Sequence, residues 1–140
     1  MKLYTLIFAF VMTLQGGIQQ GEHATPKNIT VTVAKTMSNK GTVNFALYTK
    51  EGFMRTPIQT VSSTIENNTC QVVFKNVPQG EYAIICFHDE NENNQMDFDE
   101  GRMPVEDYGV SNNPAGFGPP QYDTAKFVVS DKDVTLEIKF

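Results

Sequence analysis

Beyond residue 24 this 140-residue chain has no stretch that sustains a helical period, which argues against a helical bundle. Basic residues are scarce. Eleven Lys and Arg stand against sixteen Asp and Glu, for a net charge of −5, a balance that makes nucleic acid and anionic lipid poor partners. Nowhere is there an apolar run of about 20 residues, the length needed to span a bilayer. The longest, LYTLIFAFVMTL (residues 3–14) after Met1 and Lys2, is too short for a stop-transfer helix and reads as a secretion signal. No cysteine follows it, so a lipoprotein anchor is not expected. The reading is a signal peptide over residues 1–24 and one domain over 25–140, exported to the periplasm or the extracellular space, with no stable membrane insertion once the signal is removed. No G-x-S-x-G elbow is present, and the two histidines and two cysteines lack transition-metal spacing.

What is present is short-range alternation. NITVTVAKT puts Ile29, Val31 and Val33 on one face, and GTVNFALYT does the same for Val43, Phe45 and Leu47. A weaker strand falls near residues 58–65, then come TCQVVFK, EYAIICFH, TAKFVVS and VTLEIKF. About seven short strands separated by turn residues predict an all-β sandwich or barrel. Residues 89–121 form a long excursion between the fifth and sixth strands, and long loops inside small domains are usually functional.

The turn residues NVPQG (76–80) predict a hairpin in which Phe74 faces Tyr82, Val72 faces Ile84, Cys70 faces Cys86, and Lys75 lies opposite Glu81. In an oxidising compartment this register allows a disulfide between Cys70 and Cys86. Closing a loop of about 15 residues would contribute up to about 3 kcal/mol. The alternative is that both are small buried hydrophobes. A catalytic thiol is not expected, because mid-strand burial on an apolar face disfavours the thiolate.

Charge is concentrated in the excursion. Eight of the sixteen acids lie within residues 89–107, where Arg102 is the only basic residue. Taking Asp89 as position one, Asp89, Asn91, Asn93, Gln95, Asp97 and Glu100 occupy the ligand positions of an EF-hand calcium loop. Asn94 stands at the sixth position, where glycine normally supplies a left-handed backbone, and asparagine is the residue that best substitutes there. An oxygen-only donor set selects Ca²⁺, here as a structural ion. Against this stands the reading of a solvated loop whose Asx residues bond their own backbone. Asp99 rivals Glu100 for the closing position, while Glu90, Glu92 and Phe98 are expected to point outward. His88 fits best as a strand-end residue bonded to the loop, since calcium has little use for imidazole. The remainder, RMPVEDYGVSNNPAGFGPPQY, is rich in Pro, Gly and Asn and carries Tyr108, Phe117 and Tyr122, which serve either a ligand site or the pinning of the loop onto a sheet.

Taken together, FKNVPQGEYAIICFHDENENNQMD, MPVEDYGVSNN, GPPQYDTAKF and KGTVNFALYTKEGF resemble the bacterial secreted proteins grouped as domain of unknown function 2141. The family pattern falls on His88, Asp89, Asn91, Asn93, Asp97, Pro104, Glu106, Tyr108, Gly109, Ser111 and Asn112. Asn94 replaces a usual glycine, and RMP a usual GIP. The resemblance implies an exported β-sandwich of transthyretin-like or carboxypeptidase-regulatory-like type and implies no activity.

The expectation is therefore a non-enzymatic binding or accessory module with a Ca²⁺ loop, whose ligand side includes His88, Glu106, Tyr108, Ser111 and Asn112. An envelope glycan, peptide or protein would be its partner. Two other readings remain open: a small envelope hydrolase using His88, Glu106 and Ser111, and a purely structural envelope protein.

Overall fold

The computed structural model describes residues 24–116 and 118–140. Residues 1–23 of the expected signal segment and Phe117 lie outside the described residues. Alternation organises the first strands: β1 (Lys27–Ala34) buries Ile29, Val31 and Val33 completely, and β2 (Thr42–Tyr48) buries Val43, Phe45 and Leu47. They are followed by β3 (Gln59–Thr64), β4 (Thr69–Val77), β5 (Gly80–Asp89) and β6 (Tyr108–Val110). A four-residue helix α1 (Tyr122–Ala125), β7 (Phe127–Val129) and β8 (Val134–Ile138) complete the described chain.

These eight strands form two sheets, one ordered β4-β1-β8 and the other β3-β2-β5-β6 with β7 also pairing β5. All pairs are antiparallel except β1 with β8. Inward residues of both sheets, among them Ile29, Phe74 and Ile138 from one and Phe45, Ile84 and Cys86 from the other, belong to one buried cluster. A second, smaller cluster of Ala83, Val110 and Ala125 packs with Phe53, Tyr108 and Tyr122. There Phe53 meets Tyr48 and Tyr122 edge-on, at ring separations of 5.8 and 5.5 Å. Tyr122 thus pins the excursion to the sheet.

The expected hairpin between the fourth and fifth strands does not form. Pro78 and Gln79 carry the chain from one sheet to the other, so β4 pairs with β1 (Phe74 with Ile29, Val72 with Val31, Cys70 with Val33) and β5 with β2 (Ile84 with Leu47, Cys86 with Phe45). The same alternate residues face the core in either arrangement, so the apolar pattern cannot tell a neighbouring strand from an opposing one. Glu81 pairs with Lys126 at 3.5 Å rather than with Lys75. Cys70 and Cys86 come from opposing sheets and are both free, buried thiols. The excursion is also less irregular than expected. It contains β6, whose three residues are too short to show alternation.

Candidate functional site

The polar loop begins where β5 ends, and period two sends consecutive side chains to opposite faces. His88 lies opposite Val43, whose side chain is in the core; the ring is 1% exposed and stacks on Phe140 at 6.5 Å. Its Nε2 donates to the carbonyl of Lys40 at 2.7 Å, and Nδ1 stands 3.9 Å from Glu90 Oε1. The next residue, Gly41, has φ of +68°, and a Cβ there would collide with the carbonyl of Asp89 and come within 2.7 Å of Glu90 Cα. A glycine is required for the two chain segments to touch.

Asp89 is fully buried and acts as an anchor. Its Oδ1 accepts the backbone N–H of Asn93 (3.1 Å); its Oδ2 accepts those of Asn94 (2.8 Å) and the Asn44 carboxamide (3.1 Å). The Asx ladder continues, with Asn91 Oδ1 taking the N–H of Asn93 (3.1 Å) and Asn93 Oδ1 that of Gln95 (2.8 Å). Asn94 has φ of +62°, the left-handed turn that position six requires.

The carboxamides of Asn91 and Asn93 converge on the Asp97 carboxylate. Asn91 Nδ2 donates to Oδ2 at 2.6 Å, and Asn93 Nδ2 reaches Oδ1 and Oδ2 at 3.0 and 3.1 Å. Glu106 Oε2 accepts the backbone N–H of Asp97 at 3.1 Å, while its buried Oε1 has no hydrogen-bond partner. A cavity of about 260 Å³ is lined by His88, Glu90, Asn91, Asp97, Val105, Glu106 and Asp107. Among the described residues, no three His, Cys, Asp or Glu side chains come together as a metal-holding group. The convergence consists of one carboxylate with two carboxamides and a neighbouring glutamate.

The predicted set is divided by a small hairpin. Val105 N–H donates to Asp97 O, Asp99 N–H to Met103 O and Arg102 N–H to Asp99 O, with Phe98 bridged to Pro104. Glu100 therefore sits exposed at the hairpin tip, and Asp99 Oδ1 is taken up by Met103 N–H. The Gln95 side chain is exposed, as are those of Asn91 and Asn93, but position seven of such a loop serves through its backbone carbonyl. Phe98, Glu92 and Glu90 are exposed as expected, and Glu90 also accepts from Ser38 Oγ at 2.8 Å and borders the cavity.

The expected ligand residues separate too. Ser111 is fully buried; its Oγ accepts the N–H of Ile84 (2.9 Å) and donates to the carbonyl of Ala125 (2.6 Å). Asn112 Nδ2 donates to Lys126 O (2.7 Å), and Asn113 clasps the end of β8 through Glu137 O (2.9 Å) and Lys139 N–H (2.8 Å). Ser111 bonds the backbone of Ile84, whereas His88 bonds that of Asp107. Four residues along a strand is about 13 Å, so Ser111 is not brought to His88 and Glu106. Tyr108 lines a separate cavity of about 520 Å³ together with Pro119, Gln121, Lys139 and Phe140.

Sequence reasoning missed Asn44, Gly41 and Asn113. Each is a partner supplied by a distant segment, and none belongs to a local spacing pattern. It also set Glu106 apart from the loop it contacts.

Residues 31–137 match a family model described as "Uncharacterized protein conserved in bacteria (DUF2141)". No curated protein and no solved structure matches the chain. Among the described residues, no helix is long and apolar enough to cross a membrane.

Proposed function

The chain belongs to this bacterial family, and on that premise we propose that it is an exported, non-enzymatic module whose acidic loop holds a Ca²⁺ ion. Its two sheets are read as a β-sandwich of transthyretin-like or carboxypeptidase-regulatory-like type. The ion orders the Pro/Gly-rich segment after β6 as a recognition surface for an envelope glycan, peptide or protein.

One observation carries this reading. The terminal side-chain atoms of Asn91 and Asn93 stand 2.6 to 3.1 Å from the carboxylate oxygens of Asp97. Oxygens bound at about 2.3–2.6 Å to one Ca²⁺ lie at similar separations from each other. Rotation of each carboxamide by half a turn would bring its oxygen to Asp97 and complete an oxygen-only donor set, in exchange for the bonds that Asn91 Oδ1 and Asn93 Oδ1 make to the backbone N–H groups of Asn93 and Gln95. The Asp89 anchor and left-handed Asn94 hold the loop in that curvature without help from flanking helices.

The test is calorimetric titration with CaCl₂ and thermal melting with excess Ca²⁺ and with chelator. A binding heat and a higher midpoint in Ca²⁺ are expected, because a ligand that binds only the folded state stabilises it by mass action. No heat and coincident melts would remove the ion.

A further inference from the structure

From the geometry around Asp97 we infer that Glu106, not Glu100, closes the cation site. The inference rests on the Ca²⁺ reading above and names the residue that completes it.

A calcium loop with EF-hand spacing is closed by the carboxylate at position twelve, which swings in because a helix begins there. This chain builds the hairpin Asp97–Val105 instead, and its turn carries Glu100 to an exposed tip. The returning strand of the hairpin then delivers Glu106 to the base. Its Oε2 fixes the Asp97 backbone N–H at 3.1 Å, and the side chain borders the same cavity as Asn91 and Asp97.

The second, independent observation is the state of Oε1. This oxygen is buried and has no donor. A buried acceptor left unmatched is costly, and more so on a carboxylate. A divalent cation in the cavity that Glu106 and Asp97 both line would satisfy that oxygen. The cavity's polar side chains other than His88, namely Glu90, Asn91, Asp97, Glu106 and Asp107, all carry oxygen, the donor type that hard cations take, and calcium has little use for imidazole. The site is therefore one for a hard cation. Glu106 is two residues before Tyr108, the first residue of β6, so an ion held by Glu106 ties the loop directly to the strand that borders the larger cavity.

Wild-type, Glu106→Gln and Glu100→Gln proteins titrated with CaCl₂ test this. Glu106→Gln should weaken Ca²⁺ binding by roughly tenfold or more, as loss of a group supporting a metal site does, and Glu100→Gln should leave it unchanged. Melting in chelator adds a check on folding. There Glu106→Gln, which keeps an oxygen for the Asp97 N–H and removes the buried carboxylate charge left unmatched at Oε1, should melt no lower than wild type while losing the Ca²⁺-induced rise. Wild-type binding left intact by Glu106→Gln, or weakened instead by Glu100→Gln, overturns the assignment alone. A wild-type protein that gives no heat sinks the assignment together with the Ca²⁺ reading. A lower melt of Glu106→Gln in chelator, with Ca²⁺ affinity kept, makes Glu106 a purely structural residue and also overturns the assignment.

Discussion

The buried hydroxyl of Ser111 donates to the carbonyl of Ala125 at 2.6 Å while accepting the N–H of Ile84 at 2.9 Å. One side chain thereby joins β5 to the end of α1. Alanine at this position would leave a buried N–H and a buried carbonyl unmatched, at a cost of about 1–3 kcal/mol for each. Ser111→Ala should lower the urea midpoint accordingly while leaving Ca²⁺ affinity unchanged. An unaltered midpoint would mean that the latch contributes nothing.

Gly109 tests a different contact, that of β6 with β8, by steric means. A Cβ there would run into the side chain of Ile138 and lie 2.7 Å from the carbonyl of Lys139. Since both belong to β8 or its immediate continuation, the added methyl must push β6 away from it. Gly109→Ala should cost about 1–3 kcal/mol, the range for overpacking a filled site, read as a drop in melting temperature. Wild-type melting would show that the two strands separate freely.

The cysteines give a pH-dependent prediction. Burial pushes the Cys70 thiol up to about 11 from its ordinary 9.0, and burial, with Cys70 nearby, raises Cys86 as well. The fold therefore favours the neutral thiols. Between 9.0 and about 11 the unfolded chain sheds protons that the native state keeps, so stability falls as pH rises through that window and is fully present below it. Native protein at about pH 8 should resist iodoacetamide, because the thiolate is the nucleophile. Unfolding in urea without reductant should allow two alkyl groups to add, as expected for two free thiols. Adduct-free mass under those conditions would show a disulfide instead.

The strands β1, β2, β4 and β5 were legible because strict alternation marks a half-buried strand. Their pairing was not. Cys70, Val72 and Phe74 face the same core as Cys86, Ile84 and Tyr82, and only the tertiary path decides whether such sets are neighbours or opposites. β6, at three residues, is too short for a period, whereas β7 falls inside the expected strand TAKFVVS. At the site, the Asx ladder from Asp89 to Gln95 could be read from spacing, since those contacts are local. The hairpin that removes Glu100 and returns Glu106 could not, because the Phe98–Pro104 bridge has no sequence signature. Ser111 and Asn112, grouped with ligand-side residues on resemblance, bond the backbone carbonyls of Ala125 and Lys126, contacts that show only when the tertiary partners are known.

Asn44 shows how far the loop depends on a distant strand. Its Nδ2 donates to Asp89 Oδ2 at 3.1 Å, and its Oδ1 accepts from Ser62 Oγ at 2.6 Å, so β3 and β2 together support the anchor of the loop. Asp89 in turn holds the backbone N–H groups of Asn93 and Asn94. Asn44→Ala should cost about 1.5–3 kcal/mol, the range for a hydrogen bond to a charged group. Ser62→Ala, one step further out and exposed, should cost less, because water can replace its hydroxyl. The distinguishing readout is hydrogen exchange: Asn44→Ala should speed exchange at the Asn93 and Asn94 amides more than Ser62→Ala does, since local opening tracks the bonds that hold a segment. If those two amides exchange at the wild-type rate in Asn44→Ala, the carboxylate is held well enough by the loop alone, and the support from β2 and β3 is incidental.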